Sequence, residues 1–193
     1  MILKKQLAIQ KEDQVKSFLL EEGFKDLYTK STSGDYPYAF MKACTIKDKN
    51  QAINVCLAMI SQAKEAGRHT ELLRQKSMNN TYLVHYAAQQ GLLDVVQKLC
   101  DFDQVKIQIE LPSDSNILML HWACESGNLA LCQWLCEMGV KKEIRSVDDY
   151  GRTPMFVACE KGHLSVCKWL FAMGAKEDIS KGNSEGWTPM HVA

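Results

Sequence analysis

Gly151-Arg152-Thr153-Pro154-Met155-Phe156-Val157-Ala158-Cys159-Glu160-Lys161-Gly162-His163-Leu164 decides how this 193-residue chain folds, because near copies of it recur on a regular ladder. Ala123-Cys124-Glu125-Ser126-Gly127-Asn128-Leu129 starts 35 residues before Ala158, and Ala87-Ala88-Gln89-Gln90-Gly91-Leu92-Leu93 starts 36 residues before Ala123. Downstream, Thr188-Pro189-Met190-His191-Val192-Ala193 echoes Thr153 to Ala158, again at a spacing of 35. Self-similarity at a period of roughly 20 to 50 residues is the signature of a solenoid, in which each unit covers the apolar face of its neighbour. Such a chain offers a surface before it offers a pocket.

Local chemistry explains the pattern. Thr153 suits a helix N-cap through its hydroxyl, and Pro154 suits the first helical position, where its missing N–H would be unpaired anyway. Gly162 and Gly174 fall where a helix ends in a left-handed residue. Between them Leu164, Val166, Cys167, Leu170 and Phe171 recur at the spacing of one buried helical face. The Thr-Pro entry, the central Gly162-His163 and the closing Gly174-Ala175 together resemble the ankyrin repeat almost position for position. That resemblance implies an all-α solenoid, an array of helix-turn-helix units joined by β-hairpin-like loops.

Upstream the units lose regularity. The unit around Ala123 keeps His121, Gly127, Leu131, Leu135 and Gly139, with Leu118-Met119 in place of Thr-Pro. The unit around Ala87 keeps His85, Gly91, Val95, Val96 and Leu99, but Asp101 to Gln108 reads as an irregular connection. Further back, Ala43-Cys44 with Ile53, Leu57 and Ile60 forms another unit, and the polar stretch Arg68 to Asn80 reads as an inserted loop or short helix. Leu7-Ala8-Ile9, Val15, Phe18-Leu19-Leu20 and Gly23 map onto the same frame as a divergent first unit. The expected organisation is one domain over 1–193, with repeats at about 1–34, 35–79 (insertion at 68–79), 80–112, 113–147 and 148–182, and a partial repeat at 183–193. Ala193 falls inside the first helix of a repeat, which suits a fragment of a longer protein.

Composition narrows the function classes. The chain is 46% hydrophobic and 24% charged, and Lys+Arg and Asp+Glu both number 23. Zero net charge argues against nucleic-acid or membrane-surface binding driven by bulk charge. No stretch approaches the ~18 apolar residues of a membrane span, and no secretory signal is visible at Met1-Ile2-Leu3-Lys4-Lys5. A reducing intracellular compartment, cytoplasm or nucleus, is the expectation, and a monomer the expected state.

Eight cysteines invite metal or disulfide readings. Cys124 and Cys159 hold equivalent repeat positions, as do Cys132 and Cys167, which marks a site for a small, soft packing residue. Cys132 and Cys136 lie one turn apart, but no Cys-x-x-Cys is present to anchor a zinc site. His121 lies three residues from Cys124, yet no third orienting group or oxyanion site accompanies them. His85, His121 and His191 share one repeat position, and the resemblance implies that this imidazole ties adjacent hairpins together. No enzymatic activity, cofactor or metal is expected. Trp134 and Trp169 occupy equivalent second-helix positions and are expected in the core, with Trp122 buried between repeats.

The resemblance implies a protein-binding scaffold, with partner contacts on a concave face of hairpin tips and exposed first-helix ends. Here those positions are Met78, Asn79, Thr81, Gln89 and Gln90; Asp114, Ser115, Ile117, Glu125 and Ser126; Asp149, Tyr150, Arg152, Glu160 and Lys161; and Ser184, Glu185 and Trp187. Tyr150, Arg152 and Trp187 stand out, being residue types that dominate interface energetics. Two other readings remain: the recruiting region of an enzyme whose catalytic domain lies outside these residues, and a spacer that binds nothing.

Overall fold

The computed structural model describes residues 2–22, 24–28, 38–77 and 79–193, with helices and no strand among them. They divide into two compact units, Met1–Ala87 with Asp94–Val105, and Ala88–Leu93 with Lys106–Ala193.

The first unit opens on α1 (Ile2–Glu21), one unbroken helix. The sequence placed a helix-turn-helix here, but no glycine or proline lies between residues 2 and 21 to stop the helix. Val15 and Phe18 of α1 are buried, and α1 packs on α3. The next hairpin is α2 (Ala39–Cys44) and α3 (Lys49–Glu65). Asp48 starts α3 by accepting the Gln51 amide hydrogen at 2.8 Å, satisfying one of the orphan donors of the first turn. Phe40, Met41, Met59 and Ile60 form the centre of this core. The polar stretch after Gly67 holds the short α4 (His69–Leu73), whose Leu72 and Leu73 are buried. Gln75, also buried, donates to the Leu27 carbonyl at 2.9 Å, and Arg68 lies over the Tyr28 ring at 3.7 Å. α5 (Leu83–Gln89) and α6 (Leu93–Leu99) follow.

Next comes α7 (Asp103–Ile109), whose residues from Lys106 on belong to the second unit, as do Ala88–Leu93. The sequence assigned this stretch to an irregular connection; Val105 and Ile109, one turn apart, bury instead and hold it helical. Then come two hairpins, α8 (Met119–Ser126) with α9 (Leu129–Glu137) and α10 (Pro154–Glu160) with α11 (Leu164–Leu170), and the first helix of a third, α12 (Pro189–Val192). First helices stack in the order α8, α10, α12, and α11 packs on α9. Thr153 Oγ1 accepts the Phe156 amide hydrogen at 3.2 Å, and Asn128 Oδ1 accepts that of Leu131 at 3.1 Å, so both helix starts are capped.

Successive hairpins are tied by their turn residues. Asn128 Nδ2 donates to the Gly91 carbonyl at 2.8 Å, and His163, at the equivalent position, donates from Nε2 to the Glu125 carbonyl at 2.9 Å. Gly127, with φ +70°, lies so close to the His163 ring that a Cβ there would overlap it. Within the second unit, two charged clasps also join successive repeats. Lys142 reaches Glu110 at 3.8 Å, and Arg145 reaches Glu177 at 2.8 Å. Glu110 and Arg145 are 35 residues apart, as are Lys142 and Glu177, so the same clasp is built with its charges exchanged.

Two parts of the expected core are corrected. Leu164 and Phe171 are 64% and 43% exposed; with Met155 and Met190 they line an open groove beside α11. Trp134, Trp169 and Trp122 are half-buried rather than enclosed. The residues that fill the α9 and α11 cores are Leu131, Cys132 and Leu135, and Val166 and Leu170.

Candidate functional site

The hairpin tips are built by one recurring backbone device. Ser113 donates its amide hydrogen to the Ile117 carbonyl at 3.0 Å, Asp148 to Arg152 at 3.1 Å and Asn183 to Trp187 at 2.8 Å. A side-chain oxygen pins two of these turns from within. Asp148 Oδ1 accepts from the Tyr150 and Arg152 amides at 3.0 and 2.8 Å, and Asn183 Oδ1 from Glu185 and Trp187 at 3.0 and 2.9 Å. These are Asx-type turns, in which a short polar side chain replaces a backbone acceptor.

The tips are then stitched to one another. The Asp149 amide donates to the Ser115 carbonyl at 2.9 Å, and the Ser184 amide to the Tyr150 carbonyl at 2.9 Å. Gly151, at φ +73°, permits the second approach, since a Cβ there would lie 2.8 Å from the Ser184 nitrogen. Rigid backbone therefore presents the side chains between the anchors. Tyr150 is 53% exposed and Trp187 51%. The Tyr150 hydroxyl lies 3.4 Å from Ser115 Oγ, and the Trp187 ring meets His191 edge-on at 5.8 Å.

Behind the tips the imidazoles hold the helix starts. His121 Nδ1 accepts the Leu118 amide hydrogen at 3.3 Å, and its Nε2 donates to the Arg152 carbonyl at 3.1 Å. Burial pushes the His121 pKa down, against the pull of that carbonyl. His191 Nδ1 accepts from the Thr188 amide at 3.1 Å. His121 and His163 thus link one hairpin to the next, whereas this bond of His191 stays within its own helix start.

The first-helix ends carry a row of charge. Glu125 lies 3.5 Å from the Gln89 amide group and 3.6 Å from Lys161. Arg152 is held by Asp148, which is 0% exposed, through Nε and Nη2 at 2.8 Å each, and lies 3.8 Å from Glu160. Its guanidinium sits 5.1 Å from the centre of the Tyr150 ring.

Residues 120–193 match the family model for ankyrin repeats, in 3 copies. Residues 120–193 are ankyrin repeats. No curated protein shows a match to the chain. Ankyrin repeats are generally protein–protein interaction modules, and their tips and first-helix ends are the surfaces described above.

Among the ankyrin positions singled out in the sequence, the second unit holds Gln89, Gln90, Asp114, Ser115, Ile117, Glu125, Ser126, Asp149, Tyr150, Arg152, Glu160, Lys161, Ser184, Glu185 and Trp187. Hairpin stitching brings Ser115, Asp149, Tyr150 and Ser184 together, and the helix-end row joins Gln89, Glu125 and Lys161. Gln89, Gln90, Ile117 and Ser126 are half-buried, while Asp114, Asp149, Glu160, Lys161, Ser184 and Glu185 are exposed. Asn79 and Thr81 belong to the first unit, and Met78 lies outside the described residues.

Two assignments change. Thr81 is buried: its amide donates to Ser77 Oγ at 3.3 Å and its hydroxyl to the Asn79 carbonyl at 3.2 Å, which turns it into the loop. Arg152, at 26% side-chain exposure, is a brace on Asp148 before it is a contact. The sequence reading missed Asp148 and Asn183, the residues that shape the tips. Their spacing of 35, each two residues ahead of an exposed tip side chain, was the available signal.

Proposed function

We propose that this protein is a binding scaffold without chemistry of its own, and that its partner is a protein docking on the tips and first-helix ends of the second unit. One observation carries the reading: two large aromatics, Tyr150 and Trp187, stand half-exposed on backbone stitched between adjacent hairpins. Exposing them serves no packing purpose, and rigid aromatic anchors bind with little loss of side-chain entropy. No described helix is long and apolar enough to cross a membrane, which suits a partner met in solution within the cell. The same face serves equally if the repeats recruit substrates for a catalytic domain elsewhere in a longer protein.

The test pairs stability with capture. Tyr150→Ala/Trp187→Ala should leave the unfolding midpoint within a degree or two of wild type and lower recovery of specific partners from the native organism by about tenfold. Undiminished recovery of every partner by a folded double variant refutes this face.

A further inference from the structure

The tips and first-helix ends of the second unit hold an excess of negative charge. Through hairpins α8–α9 and α10–α11, which a further tip follows, this face carries the carboxylates of Asp114, Glu125, Asp148, Asp149 and Glu160 against two cations, Arg152 and Lys161. Both cations are taken. Arg152 lies 2.8 Å from the enclosed Asp148 and 3.8 Å from Glu160, and Lys161 lies 3.6 Å from Glu125. Asp114 and Asp149 are exposed, and their carboxylates have no ion-pair or hydrogen-bond partner among the described residues. The chain as a whole is neutral, and Lys141, Lys142, Arg145, Lys176 and Lys181 stand exposed in the turns after α9 and α11 instead.

The two unpaired carboxylates belong to neighbouring tips. Asp114 and Asp149 are 35 residues apart and hold one register. The Asp149 amide donates to the Ser115 carbonyl at 2.9 Å, so the two backbones run about 5 Å apart there. The tips cannot separate without breaking that bond, and like charges held at such range repel each other. A cation supplied from outside relieves the repulsion. Tyr150, next to Asp149 and 53% exposed, adds an aromatic face for the apolar stem or the charged head of a basic side chain. The ring already accepts one such group, since the Arg152 guanidinium sits 5.1 Å from its centre.

We propose that the partner meets this face with an extended segment bearing lysine or arginine, whose cations pair with Asp114 and Asp149 while Tyr150 packs against one of their stems. This rests on the reading of the tips as the docking face and adds the chemistry of what docks. Alternate side chains of an extended strand point the same way, about 7 Å apart, which lets two of them straddle the joined tips. The same carboxylates repel a polyanion, so a nucleic-acid backbone or an acidic lipid surface is turned away from this face.

The probe is a fluorescein-labelled peptide of about twelve residues that alternates lysine with threonine, beside a glutamate–threonine peptide of the same length. Fluorescence polarisation with the intact chain should find the lysine peptide bound about tenfold more tightly than the glutamate peptide, and weakened as salt rises from about 50 to 300 mM. Asp114→Asn/Asp149→Asn should weaken lysine-peptide binding by about tenfold. Glu137→Gln, which removes an exposed carboxylate of α9, should leave it unchanged. All three positions are exposed and the changes nearly isosteric, so the variants keep the fold. Equal binding of the two peptides overturns the proposal, and so does an equal loss from Glu137→Gln and from the aspartate pair. Recovery of specific partners from the native organism separates this idea from the docking face itself. If Tyr150→Ala/Trp187→Ala lowers recovery while Asp114→Asn/Asp149→Asn leaves it unchanged, the face stands and its basic occupant falls; if neither lowers it, both fall.

Discussion

Glu143 accepts the amide hydrogen of Leu120 at 3.1 Å, across 23 residues of sequence, and so holds the start of α8 from the turn that follows α9. The carboxyl is almost fully enclosed, and burial pushes its pKa from 4.5 up to about 7 in spite of that hydrogen bond. Between those two values the folded chain holds a proton that the unfolded chain has released. Stability contributed by protonated Glu143 is complete below about pH 4.5 and is lost as the pH rises through 7, by about 3 kcal/mol. Glu143→Gln keeps an oxygen for Leu120 and removes the titration. Chemical denaturation should find the variant more stable than wild type at pH 8 and indistinguishable at pH 4.5; a gap that does not shrink on acidification contradicts the assignment.

Gly127 and Gly162 occupy equivalent turns at φ +70° and +72° but face different surroundings. At Gly162 an added Cβ meets nothing within 4 Å, so Gly162→Ala should cost about 1 kcal/mol of left-handed strain. At Gly127 the Cβ would displace the His163 ring and its bond to the Glu125 carbonyl, so Gly127→Ala should cost about 2–3 kcal/mol. Equal losses in thermal unfolding would mean the ring swings aside freely.

How much of this was legible beforehand differs along the chain. The Thr153 cap, Pro154 at the first helical position and the left-handed glycines are local devices, each set by a residue and its immediate neighbours, and they read directly. Trp169 and Leu164 did not. Helical spacing says which residues share a face, but whether another helix covers that face is decided by residues far away in sequence. Asp103–Ile109 failed for a related reason, since a seven-residue helix without a cap signal or a closing glycine is held by burial of Val105 and Ile109. At the candidate face, the exposed types were visible in sequence. The pairing of Arg152 with Asp148 was hidden because an acid four residues from a base looks like any solvated loop.

The missing Thr-Pro of α8 separates into two effects. Leu118 caps the helix with backbone alone, so Leu118→Thr should add the hydroxyl acceptor that Thr153 supplies in α10 and stabilise by about 1 kcal/mol. Met119 is fully buried, and Met119→Pro removes that side chain from the core. It should lower the unfolding midpoint even in the Leu118→Thr background. A gain from both changes together would mean the packing around Met119 closes without loss.

Arg152 and Tyr150 should part company under truncation. Tyr150→Ala removes a half-exposed ring and should change stability by less than about 0.5 kcal/mol. Arg152→Ala leaves the buried Asp148 carboxylate without its cation and should cost about 2 kcal/mol or more. Urea denaturation of the two variants decides it, and equal stabilities would place Arg152 among the contacts instead of the braces.

The exchanged clasps give the array an order that cannot be edited silently. If recombination removed one 35-residue unit, 113–147, the remaining neighbours would still share glycines, caps and apolar faces. Glu110 would then confront Glu177, with Arg145 and Lys142 both gone with the deleted segment. Repeat genes gain and lose copies because their units look alike; here alternating polarity makes each joint a key that fits its own neighbour and repels the next one along.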